Sequence, residues 1–145
     1  MTPKEYLMQI VNLERKIKSK TSERNEIMQT LIKSTDTSQE PVYSNQTSNP
    51  TEDVVMRLME YNDQTNKYID DLVDLKIQIA DEVMELENDN HQMVLRERYI
   101  RQKKFEKIAV DMSYDYSWII KLHGRALKEF GEKFPEKFKE SLKSH

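Results

Sequence analysis

Leu58, Thr65, Leu72, Ile79 and Leu86 stand seven residues apart, and Tyr61, Tyr68 and Leu75 each follow one of the first three by three places. Alternating steps of three and four draw one stripe along a helix, whereas a strand repeats every two. The stripe therefore predicts a helix of about 38 residues, some 57 Å long at 1.5 Å per residue. "NPTE" opens it, with Asn49, Pro50 and Glu52 in the cap, first and third places. The rhythm passes from Glu82 to Val83, and "ENDN", Glu87 to Asn90, is its expected end.

A second start signal lies at the beginning of the chain. In "TPKE", Thr2 can cap, Pro3 suits the first helical position and Glu5 completes a capping box. Tyr6, Ile10, Leu13, Ile17, Ile27 and Leu31 then keep the spacing of three and four, with Lys20 and Arg24 on two seam positions between them. Residues 34–50, "STDTSQEPVYSNQTSNP", have no periodicity and are rich in residues that compete with helical hydrogen bonding, so they read as a polar loop. Residues 1–90 are thus expected to form a long, antiparallel, coiled-coil-like helical hairpin. One partner helix cannot cover every apolar edge, so a homo-oligomer is expected. Met8, Met28, Met56, Met59, Tyr61 and Tyr68 read as seam filling rather than a ligand-binding face.

Two Gly and four Pro among 145 residues, 34% of them charged, argue against a sandwich or barrel, whose turns need those residues. An all-α chain is expected. With no cysteine, disulfides and thiolate metal sites are excluded. No apolar run approaches the roughly 18 residues of a membrane span, and the expectation is a soluble intracellular protein with no membrane partner. His91, His123 and His145 are scattered, no Gly-rich phosphate loop is present, and Asp70, Asp71 and Asp74 look like a solvated helix face. Neither an enzyme site nor a cofactor nor a metal is expected.

Charge divides the chain. Residues 1–90 hold 10 Lys+Arg against 18 Asp+Glu, and residues 91–145 hold 13 against 8. A basic end on an acidic stalk suits double-stranded DNA. Residues 91–131 carry the matching pattern. A helix over His91 to Arg101 places Val94, Leu95, Tyr99 and Ile100 on one stripe, "RQKK" breaks the rhythm, and a second helix carries Phe105, Ile108, Ala109 and Met112. Ser113 and Tyr114 make a turn, Asp115 stands where its carboxylate can cap, and a third helix turns Ile119, Leu122, Ala126 and Leu127 inward. This is helix-turn-helix spacing, with helix 116–130 as the reader of the major groove. Asp115, Tyr116, Ser117, Ile120, Lys121 and Arg125 are the candidate DNA-facing residues, with Lys103 and Lys104 ahead of the second helix. His123 reads as a surface histidine on the flank. Gly124 inside a helix suggests a close approach, and residues 132–145 offer Phe134 and Phe138 as a docking tail.

The stretch "VLRERYIRQKKFEKIAVDMSYDYSWIIKLHGRALKEF", Val94 to Phe130, resembles region four of sigma factors, especially in the ArpU/RinA-type late-transcription regulators of Gram-positive phages. "RYI", "IA" and "LHGRAL" followed by Phe130 carry the likeness, and the upstream order of helix, polar loop and helix is similar as well. The resemblance implies a sequence-specific DNA-binding activator of phage or prophage late genes that also contacts RNA polymerase. Ser113 stands where Gly is frequent, and Lys104 where a Ser or Thr cap is usual. Two other classes remain open. One is a small terminase-like DNA-packaging subunit, although the domain order here is the reverse of the usual one. The other is a coiled-coil interaction protein without DNA.

Overall fold

The computed structural model describes residues 1–35 and 50–138. Every regular element among them is helical: α1 (Pro3–Thr35), α2 (Pro50–Met84), α3 (Asp89–Leu95), a π turn (Arg96–Ile100), α4 (Phe105–Met112), α5 (Tyr116–Lys133) and a 3-10 turn (Pro135–Phe138). No described helix is long and apolar enough to cross a membrane. The Thr2 cap forms as its spacing predicts, with the Glu5 N–H donating to Thr2 Oγ1 at 3.1 Å. Most of the polar loop and the Asn49 cap lie outside the described residues.

α2 stops at Met84, short of "ENDN". The reason is that Asn88 belongs to the next helix. Its side chain accepts from the N–H groups of Asn90 and His91, at 2.9 and 3.2 Å, and starts α3 two residues before the expected His91. Glu129 of α5 then ties this corner down, accepting from the Glu87 N–H at 2.9 Å and bonding His91 Nδ1 at 2.6 Å.

The chain forms two compact units, and the division does not fall at residue 90. One unit joins Met1–Leu13 to the chain from Leu72 onward, and the other is Glu14–Asp71. In the first unit the three stripes read from the sequence converge: Val94, Leu95 and Tyr99, then Ile108 and Ala109, then Ile119, Leu122 and Ala126 are all buried. Tyr6, Leu7 and Ile10 of α1 and Ile79, Val83 and Leu86 of α2 complete that same core. Tyr6 donates its O–H to Glu82, which also takes the Lys137 ammonium at 2.9 Å. The tail docks as expected through Phe138, whose ring packs edge-on against Tyr6 at 5.8 Å.

In the second unit the seam is polar where Lys20 and Arg24 fall. The Lys16 ammonium lies 4.7 Å from the Tyr68 ring centre and the Lys20 ammonium 5.0 Å from that of Tyr61, while Arg24 donates to Asn62 Oδ1 at 3.2 Å. Aromatic faces accept these cations, so the charges do not interrupt the helix pair. The methionines depart from expectation. Met28, Met56 and Met59 are exposed rather than filling the seam, along with Val55 and Ile69. An apolar residue at a seam-like spacing buries only if a partner covers that side of the helix.

Gly124 meets nothing within 4 Å where a Cβ would stand, so the expected close approach is absent. It occurs at the other glycine, Gly131, whose Cβ would lie 3.1 Å from Pro3 Cγ. Gly124→Ala is therefore expected to raise stability by about 0.5–1 kcal/mol, the ordinary helix-interior gain, as read from urea melts. A loss instead would place an unseen neighbour against that face.

Candidate nucleic-acid interface

α4 ends because Ser113 turns left-handed, with φ 59° and ψ 42°. Its N–H reaches back to the carbonyls of Ala109 and Val110, and the Tyr114 N–H bonds Ala109 O at 2.9 Å, closing the last turn. A side chain bearing Cβ is strained there, so Ser113→Gly is expected to stabilise by about 1 kcal/mol in a chemical denaturation curve. Asp115 is the N-cap residue of α5 in extended conformation, and its carbonyl accepts the Ile119 N–H at 3.0 Å. Its carboxylate, contrary to expectation, accepts no capping hydrogen bond and stays exposed.

Along α5 the two faces separate by chemistry. Ile119, Leu122, Ala126 and Phe130 are buried, whereas Tyr116, Ser117, Ile120, Lys121, Gly124 and Arg125 are exposed. Tyr116, Ser117, Ile120, Lys121 and Arg125 thus share one outward surface that begins at the turn. The Arg125 guanidinium lies 5.1 Å from the Trp118 ring centre, which restrains its long side chain. Sequence reasoning gave Trp118 no part in this. The signal was available, since residues seven apart lie near one another in angle on a helix.

The two lysines before α4 part company. Lys104 is exposed and makes no cap. Lys103 is engaged: its ammonium lies 2.6 Å from Glu97 and 2.9 Å from Asp111, and Glu97 also takes Arg101 at 3.0 Å. Glu97 and Asp111 raise the lysine's pKa, and the Lys103 and Lys107 ammonium groups hold the Asp111 carboxyl below its usual value. The π turn and a left-handed Gln102, φ 58°, bring these groups together. No feature of "RQKK" announces that geometry.

His123 is not a surface histidine. Its Nε2 lies 2.6 Å from the Tyr99 hydroxyl, and its ring packs edge-on against Phe105 at 4.9 Å. Burial, then the Arg98 and Lys4 charges, lower its pKa to about 4, while burial pushes Tyr99 up to about 12. The pair is one hydrogen bond between neutral groups. The i,i+4 step from Ile119 already placed His123 beside the inner stripe.

That depressed pKa sets a pH dependence. A histidine that protonates near 6.5 unfolded but near 4 folded makes the unfolded chain bind the extra proton between those values. Stability should therefore fall on acidification from about pH 6.5 to about pH 4 and level off below. After allowance for screening at its solvent-facing side, the loss is about 1–2 kcal/mol. Urea midpoints at pH 7 and pH 4.5, with His123→Gln as the non-titrating control, measure it. Equal slopes for wild type and variant would contradict it.

Searches against protein-family models, curated proteins and solved structures give no match to this chain.

Proposed function

We propose that the protein is a sequence-specific DNA-binding transcription regulator in which α4 and α5 form a helix-turn-helix and α5 enters the major groove. The observation that carries this reading is the division of α5. Its apolar face anchors in the core, and Tyr116, Ser117, Lys121 and Arg125 remain exposed on the side that follows the turn. Lysine and arginine bind phosphate or guanine, and Tyr116 and Ser117 reach base edges or phosphates. Asp115 and Ile120 extend that surface, and Lys104 adds a cation before α4. Lys103, committed to Glu97 and Asp111, orders the approach to α4 instead of contacting DNA.

The rest of the assignment follows the resemblance: an activator of phage or prophage late genes, acting in the bacterial cytoplasm and also touching RNA polymerase. Within Glu14–Asp71, Lys16 meets Tyr68 while Lys20 meets Tyr61, an order that supports an antiparallel hairpin. The exposed Val55, Met56, Met59 and Ile69 support self-association by that hairpin. Footprinting the purified protein on its surrounding genome segment tests the function. Protection of a promoter-proximal site is the expected result. Protection of a packaging site would favour the terminase-like reading, and no protection would favour a role without DNA.

A further inference from the structure

Ile120 is an anomaly on the outward face of α5. It is apolar and 39% exposed among polar neighbours, and a contact with DNA would not by itself account for an apolar side chain there. Its position at the edge of that face explains it. Ile120 and His123 wall a pocket of about 240 Å³, completed by Lys4, Met8, Arg98, Tyr99 and Phe105. These residues all belong to one compact unit, so the pocket is enclosed by elements that share a core.

The lining has a definite chemical bias. Met8, Phe105 and Ile120 supply apolar walls, the Tyr99–His123 pair is mutually satisfied, and the only formal charges are the two cations. Arg98 is held in place, with its guanidinium 4.0 Å from the Phe105 ring centre and one N–H donating to Lys103 O at 3.0 Å. Neither Arg98 nor Lys4 is paired with a carboxylate among the described residues. His123 already registers both positive charges, which help keep it neutral. An uncompensated positive field over an apolar cleft favours an anion with an apolar body. With part of the guanidinium committed, one negative charge is better matched than two. The volume lies below the roughly 300–1,000 Å³ of pockets for drug-sized ligands, so the occupant is small.

We infer that this pocket is a binding site for a small monocarboxylate with an aromatic or branched apolar body, its carboxylate held by Lys4 and Arg98 and its body against Met8, Phe105 and Ile120. The site goes beyond the DNA-reading proposal. It needs no nucleic acid, so its test uses the protein alone and can fail or succeed separately.

The probes are 1-naphthoate and its neutral counterpart 1-naphthalenemethanol, titrated into the full-length chain by calorimetry and amide chemical shifts. Naphthoate is expected to saturate, with shifts centred on Tyr99, Phe105, Ile120 and His123. The alcohol should bind about tenfold more weakly, the combined effect of two partly exposed ion pairs. Lys4→Gln removes one of them at an exposed position without disturbing the fold, and should weaken naphthoate roughly threefold with an unchanged thermal melt. Ile120→Trp fills the pocket and should abolish binding. The proposal is overturned if naphthoate does not bind, if acid and alcohol bind equally, if Lys4→Gln binds like wild type, or if the shifts spread over the exposed apolar residues of α2.

Discussion

Phe130→Ala is expected to lower stability by about 3–5 kcal/mol, the range for truncating a fully buried aromatic. Phe130 is fully buried, and its ring lies 5.8 Å from Tyr6, 4.9 Å from Phe134 and 6.0 Å from Phe138. One side chain thus joins the start of α1, the end of α5 and the 3-10 turn. Truncation leaves a cavity that three ring neighbours cannot collapse into without moving their own helices. Total domain stability is only about 5–15 kcal/mol, so the variant should melt at least 10 °C lower by circular dichroism. Phe134→Ala, at a half-buried position, should do clearly less. A Phe130→Ala loss under about 1 kcal/mol would mean that this ring does not hold the three segments together.

The inner face of α5 was legible in the sequence because Ile119, Leu122 and Ala126 repeat at helical spacing, and spacing alone states which residues share a side. What covers a side is a different question. Nothing in the steps between Tyr6 and Ile10, or between Ile79 and Leu86, says that these helix ends pack with the C-terminal helices rather than only with each other. Met28, Met56 and Met59 illustrate the opposite failure, since apolar residues predicted to be covered lie exposed.

The candidate site divides along the same line. Tyr116, Ser117, Lys121 and Arg125 were found by helical angle and are exposed together. Lys103 and His123 have surroundings that spacing does not reveal, because partners on neighbouring elements set them, Asp111 in one case and Tyr99 in the other. Asp115 has the right residue type and backbone for a cap, yet its side chain makes no capping bond. Residue type at a helix start raises the chance of that bond without fixing the rotamer.

Replacing the outward residues of α5 one at a time is expected to separate positioning from recognition. Lys121→Ala removes an exposed cation that the proposed docking sets against a phosphate, so on that proposal it should weaken cognate and scrambled duplex alike and reduce the salt slope by about one. Arg125→Ala carries a further consequence, because the guanidinium over Trp118 is partly ordered before binding and less freedom is lost when it docks. Its loss should therefore exceed that of Lys121→Ala. Tyr116→Ala and Ser117→Ala would lose the proposed groove contacts instead. They should weaken the cognate site by roughly 1–3 kcal/mol and leave scrambled duplex nearly untouched, since no base contact exists there to lose. None of these side chains belongs to the core, so all four variants should melt within about 0.5 kcal/mol of wild type, the usual range for surface changes. Binding of the folded variants to both duplexes at several salt concentrations decides the matter. If Tyr116→Ala, Ser117→Ala and Lys121→Ala all bind both duplexes as wild type does, α5 is not the reading helix. The exposed polar face after the turn would then need another partner.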